Sequence, residues 1–232
     1  DDYRFINWKA TARKGKLMAN VFQDEREQNV YCLIDKGRTM QSAFERMTLL
    51  DHSINASLAL LYVAMLKGDK SGLITFEKKV DSIVPATRKP IQLQVIQEAL
   101  YYQNTSFLES DFQALYQAIH TNIKNRSLLI IYTNFDSVQA MQRQLHSLSM
   151  LAKHHNVLVV FFENIELAEI AMRTPRNKTE IYETIVAEKL EYEKTLIIHM
   201  LRQHNIMSLL TRPNQLTVDV INRYLDIKNR EM

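Results

Sequence analysis

Three features of the sequence predict an α/β fold: a doubly wound, mostly parallel central sheet with one antiparallel edge strand and helices on both faces. Short continuous apolar runs at Asn29–Ile34, Ser127–Tyr132 and Val157–Phe162 have the composition of strands covered on both sides. Stretches with apolar residues at helical spacing alternate with them along the chain. One pair of runs, Gly72–Glu77 and Val80–Val84, is joined only by Lys78-Lys79. That connection is too short for a helical crossover, so one of the two strands runs antiparallel at the sheet edge. The alternation is that of a Rossmann-like, three-layer arrangement.

The elements follow in order. Ile6–Lys14 has the makings of a short helix stopped at Gly15, with Leu17–Phe22 extended after it. After the first strand, Ser42–Leu66 places Phe44, Met47, Leu50, Ile54, Leu58, Leu61 and Met65 at helical spacing and closes at Gly68. Pro90 suits the first turn of a helix through Tyr102, with Ile91, Val95, Ala99 and Tyr102 as its buried stripe. A polar loop, Gln103–Glu109, leads to Ser110 as the N-cap of a helix over Asp111–Ile123. Val138–His154 and Ile165–Met172 read as helices, and Thr179 as the cap of a long amphipathic helix to Gln203. Ile206–Leu210 reads as the last strand and Val218–Asn229 as the closing helix.

Composition narrows the function. A hydrophobic fraction of 46% with 24% charged residues fits a globular chain rather than a disordered one. The net charge of +3 gives no ground to expect nucleic acid as a partner. Cys32 is the single cysteine, so no intrachain disulfide forms. No run approaches the roughly 20 apolar residues of a membrane span, and no signal peptide opens the chain. The chain begins at Asp1 rather than methionine, as a piece of a longer protein would.

The histidines are scattered, without the H-x-x-x-H or H-E-x-x-H spacing of a zinc site. Oxygen ligands are better placed. In a doubly wound sheet, ligands bind beyond the carboxyl ends of the strands. Asp35 ends the first strand there, followed by Gly37, Arg38 and Thr39; Ser110 and Asp111 precede a helix; Asn134 and Asp136 lie in the Thr133–Asp136 turn. Such a sparse oxygen set suits a hard cation held with waters.

The order of strand, D-x-G-x-T-M, long helix, antiparallel pair, S-D-F before a helix, and a strand ending T-N-F resembles a von Willebrand factor A domain. More closely, R-F-I-N-W-K-A-T-A-R, G-D-K-S-G-L-I-T-F, E-S-D-F, R-S-L-L-I-I-Y-T and R-Y-L-D-I-K together resemble the domain of unknown function 58 family. The resemblance implies a family-specific extension over residues 1–28 and an A-type domain over 29–232. It implies a metal-ion-dependent adhesion site for Mg²⁺ or Mn²⁺, onto which Asp35, Thr39, Ser110 and Asn134 map. Gly37 stands where the family pattern has its first serine, and Asn134 where it has an aspartate. Asp111 and Asp136 are the available substitute carboxylates. Asp35, Gly37, Arg38 and Thr39 map onto the partner-binding loop. The resemblance further implies a non-enzymatic interaction module, the cytoplasmic part of a membrane-tethered bacterial protein working with a MoxR-type AAA+ ATPase in assembly or envelope maintenance.

A different class shares the first aspartate. A strand followed by D-x-x-x-T is similar to haloacid-dehalogenase-like phosphatases, with Asp35 as nucleophile. Their D-x-D-x-T pattern carries a general acid at the position that Gly37 occupies here, which leaves no donor for the leaving group.

Overall fold

The computed structural model describes residues 8–16, 27–44, 46–101, 103, 105–175 and 177–230. Helix α1 (Trp8–Lys14) ends at Gly15, whose φ of 63° only glycine adopts without cost. The expected start at Ile6 and the extended segment Leu17–Phe22 lie outside the described residues. The strands are β1 (Asn29–Asp35), β2 (Ala43–Phe44), β3 (Met47–Thr48), β4 (Lys70–Phe76), β5 (Val80–Thr87), β6 (Leu128–Tyr132), β7 (Asn156–Phe162) and β8 (Met207–Thr211). The remaining helices are α2 (Leu49–Leu66), α3 (Gln92–Tyr101), α4 (Phe112–Asn122), α5 (Val138–His154), α6 (Ile165–Met172), α7 (Lys178–Gln203) and α8 (Leu216–Arg230).

Six strands form one sheet in the order β5-β4-β1-β6-β7-β8; only β5 runs antiparallel, as the Lys78-Lys79 connection predicts. Strand β1 lies between β4 and β6, with Ile34 opposite both Thr75 and Tyr132. The period-two alternation of a strand splits the core in two. Val30, Cys32 and Ile34 face a layer made by α2, α3 and α8, whereas Tyr31 and Leu33 face α4, α5 and α7. Each of these side chains is almost fully buried. At about 1.5–3 kcal/mol for a buried Leu or Ile, the two sides of this strand anchor both layers.

Most element boundaries shift from the sequence reading by a few residues, and α3 buries Gln92, Ile96 and Leu100 while Ile91 and Val95 are exposed and Tyr102 lies outside the described residues. The helix expected from Ser42 begins at Leu49. Residues 38–41 instead form a 3-10 turn, and β2 and β3 pair as a small hairpin. Thr48 then starts α2 with a capping box: its hydroxyl accepts from Asp51 N at 3.1 Å and the Asp51 carboxylate accepts from Thr48 N at 2.9 Å. Asp111, not Ser110, caps α4, accepting from the backbone N–H groups of Gln113 and Ala114. Asn177, not Thr179, caps α7. The last strand starts at Met207, one residue later than expected.

Helix α2 is the one helix among the described residues long and apolar enough to cross a membrane, which the count of consecutive apolar residues does not reveal. Here it lies inside the fold, with Ala56, Leu60, Leu61 and Ala64 fully buried in the core shared with α8. Its turn into β4 is fastened to α8 by buried polar groups. Asp69 accepts from Tyr224 OH at 2.5 Å and from Lys228 Nζ at 2.8 Å, and the same ammonium donates to Lys67 O at 2.9 Å. The carboxylate and the ammonium are both almost wholly out of water.

Candidate functional site

Parallel pairing of β1 with β6 carries Asp35 and Thr133 past the sheet edge side by side, one step beyond the Ile34–Tyr132 pair. Both are buried. Thr133 Oγ1 donates to Asp35 Oδ2 at 2.6 Å. The other carboxylate oxygen accepts from Gly37 N at 2.8 Å and from the Ser110 hydroxyl in a very short bond. Burial pushes the Asp35 carboxyl above its ordinary value of 3.8. The bonds from Ser110, Thr133 and Gly37 oppose that rise, and the nearby Glu77 carboxylate adds to it.

Ser110 is delivered by the segment 105–110, which is itself pinned. Buried Glu77, just past β4, accepts from Leu108 N at 2.6 Å and from Ser106 Oγ at 3.1 Å. Thr105 Oγ1 donates to Lys36 O at 2.7 Å, and Arg38 N donates to Leu108 O at 3.0 Å. The Lys36 ammonium, also buried, pairs with Asp81 at 2.7 Å. Strand ends β1 and β4 thereby hold the loop against Asp35. A side chain on Gly37 has no room: its Cβ would collide with Ser110 Oγ and stand 3.0 Å from both Asp35 Oδ1 and Leu108 O.

Above this floor opens a cleft of about 410 Å³ walled in part by Thr39, Phe107, Phe112 and Phe135. Its rim carries both signs of charge: Arg38 pairs with Asp136 at 3.4 Å and Arg143 with Glu109 at 3.2 Å. Exposed pairs of this kind contribute little stability, which leaves the charges available to another surface. Asn134 lines the cleft, and its Oδ1 accepts from Lys194 Nζ at 2.9 Å; the same amine donates to Phe135 O at 2.9 Å. Burial lowers Lys194 to about 8, partly offset by Asp136, Glu191 and Glu193. Asn134, Phe135 and Asp136 also border a second cavity of about 730 Å³ on the Lys194 side.

The structure therefore gathers Asp35, Gly37, Arg38, Thr39, Ser110, Asn134 and Asp136 around one cleft. Asp111 is not among them; its carboxylate is committed to the α4 cap. Sequence reasoning did not single out Thr133, Glu77, Lys36, Arg143 or Lys194. Thr133 was detectable as the first residue past a buried strand. The others act through partners tens of residues away, where no spacing rule reaches.

A divalent cation fits this set poorly. Both oxygens of Asp35 are occupied by protein donors, the position of the first hydroxyl ligand is closed at Gly37, and Asn134 faces an ammonium. Among the described residues no three His, Cys, Asp or Glu side chains come together as a ligand set.

The family model described as "Protein of unknown function DUF58" matches residues 1–172. No curated protein matches the chain by sequence. Among solved structures, the conserved hypothetical protein BatB from Bacteroides thetaiotaomicron superposes with a TM-score of 0.57 at 12% identity, covering 88% of this chain and 99% of that one. The VWA domain of SpRpn10 superposes with a TM-score of 0.51 at 10% identity, covering 84% and 94%. An aerotolerance-related membrane protein from Bacteroides fragilis gives 0.50 at 11% identity, covering 88% and 100%. At these identities the likeness establishes the fold, which is von Willebrand factor A-like.

Proposed function

The chain belongs to the family described as protein of unknown function DUF58, and from that premise we propose that it is a protein-interaction module whose partner docks at the Asp35 edge without a bound metal. The observation that carries this reading is that both oxygens of Asp35 accept hydrogen bonds from the protein itself. A carboxylate that accepts from Ser110, Thr133 and Gly37 has three of its roughly four acceptor sites committed to the protein, which supports a role in organising the floor of the cleft. Recognition then falls to the rim, where Arg38, Arg143, Glu109 and Asp136 offer charges of both signs around an aromatic wall. The phosphatase reading lacks support from the same geometry, because Gly37 supplies no acid and leaves no space for one.

The partner we propose is a MoxR-type AAA+ ATPase, the class that the family resemblance implies, with this chain as the cytoplasmic part of a protein tethered to the bacterial inner membrane. The structural likeness to an aerotolerance-related membrane protein supports a membrane-linked setting. Binding to a purified MoxR-type ATPase from the same source, loaded with ATP, is the test. Arg38→Glu combined with Arg143→Glu is expected to weaken association at least tenfold while the fold persists. Unchanged affinity in that double variant would reject the rim as the docking surface. Calorimetric titration of Mn²⁺ into the chain alone is expected to give no saturable heat; stoichiometric binding lost in Asp35→Ala would restore the metal.

A further inference from the structure

The opposite edge of the sheet, where the strands begin, holds a second polar site. Between the starts of β7 and β8 and the last turns of α8 lies a pocket of about 210 Å³, lined by Arg126, His155, Asn156, Arg223, Asp226 and Arg230 among others. Its volume lies below the roughly 300–1,000 Å³ of drug-sized ligand sites, so it suits a small group. Two buried polar atoms of its lining residues, His155 Nδ1 and Arg223 Nε, have no hydrogen-bond partner among the described residues. Buried polar groups are almost always paired, so two orphans on residues that line one cavity point to a missing bonded species.

The charge around the pocket says which kind. Three arginines and a single carboxylate, Asp226, line it, and no ion pair is made by Arg126, Arg223 or Arg230 among the described residues. Arg126 is held in place by Asn156, whose Oδ1 accepts from its Nε at 3.2 Å and from a terminal nitrogen at 2.7 Å. Basic residues near helix C-termini are ordinarily explained by the helix dipole, and that accounts for Arg230 at the end of α8. It does not account for Arg126, which precedes β6, nor for Arg223 in the middle of α8. Buried water would satisfy the orphan atoms. It would leave the excess of guanidinium charge unanswered.

We propose that this pocket binds a small oxyanion of the phosphate class, with Arg223 and the guanidinium N–H groups of Arg126 that Asn156 does not engage as charged donors, and His155 donating from Nδ1. The ligand is either free phosphate or the phosphate of a lipid headgroup, which share this chemistry.

Inorganic phosphate titrated into the full chain at constant ionic strength, followed through the His155 ring resonances, tests the site. Saturable shifts are expected that chloride does not reproduce. Arg223→Gln and Arg126→Gln should each weaken binding about tenfold or more, the loss of one charge-assisted contact. Arg126 lies at the exposed mouth, so its replacement leaves the fold intact by circular dichroism. Shifts that do not saturate, or that both variants retain in full, mean a buried water only and overturn the proposal. Co-sedimentation with phosphatidylcholine vesicles carrying phosphorylated inositol headgroups identifies the source. Binding that Arg223→Gln abolishes assigns a headgroup; saturation by phosphate without vesicle binding assigns the free anion. Neither arm involves the Asp35 edge, so the site stands or falls separately from the docking reading.

Discussion

The Ser110 hydroxyl fills the space that a side chain on Gly37 would need, and bonds Asp35 from there. Residue 37 has φ −73°, open to any amino acid, so it is the space and not the backbone that requires glycine. Gly37→Ala is expected to destabilise the protein by about 1–3 kcal/mol, the range for overpacking a filled interior. Ser110→Ala in the same chain should recover part of that loss, since it removes the colliding atom. Urea unfolding of the two single variants and the double variant measures the coupling.

Asp35 gives a pH signature. Its folded pKa is raised, so the native state binds a proton more readily than the unfolded chain across the interval from 3.8 up to the folded value. Within that interval stability falls as pH rises, and the penalty is fully present above it. Asp35→Asn removes this contribution. Its stability should be flatter over the same interval than that of the unaltered protein. A pH series of denaturation midpoints checks the sign, and an identical slope in both proteins contradicts it.

Lys194 titrates in the opposite sense. With its pKa lowered to about 8, the folded protein releases a proton that the unfolded chain keeps up to its ordinary 10.5. Stability contributed by this site therefore rises between those values as pH increases. Asn134→Asp would place a carboxylate where the amide oxygen now accepts, and the Lys194 pKa is expected to move up. Heteronuclear NMR of the lysine side chain, followed against pH, reads the shift directly.

The Asp69–Lys228 pair is buried on both sides. Lys228→Met leaves the carboxylate with Tyr224 OH and Gln28 N as donors but without its countercharge. A cost of about 3–5 kcal/mol is expected, typical of breaking one side of a buried pair. By contrast, Thr48→Ala removes only the α2 capping box and should cost about 1 kcal/mol. Thermal or chemical denaturation of the two variants under one condition ranks them; equal losses would show that the buried pair holds α8 no more firmly than a helix cap.

Much of the architecture was legible because it is written in local pattern. The unbroken apolar runs of β1, β6 and β7 announce strands with both faces covered, and the two-lysine connection between β4 and β5 announces the antiparallel edge. Asp35 was legible for the same reason, as an acid at the end of such a run. What supports it was not. Ser110 read as a cap because a serine before a helix usually is one; its hydroxyl goes instead to a carboxylate 75 positions away. The β2–β3 hairpin was hidden because Phe44 and Met47 happen to continue the apolar spacing of α2. Glu77, Lys36 and Lys194 look like ordinary surface charges until the strands that carry them become neighbours.

The fastening of α8 has a consequence for how the molecule comes into being. Asp69 and Lys228 are separated by 159 positions, so on the ribosome the carboxylate emerges long before its ammonium exists. The turn between α2 and β4 cannot bury that charge cheaply until the final helix is made, and the sheet flanking it stays unfinished meanwhile. Completion of this domain is thus tied to the end of translation of α8. A chain cut just short of Lys228 should persist as a substrate for chaperones and proteases rather than as a slightly smaller domain.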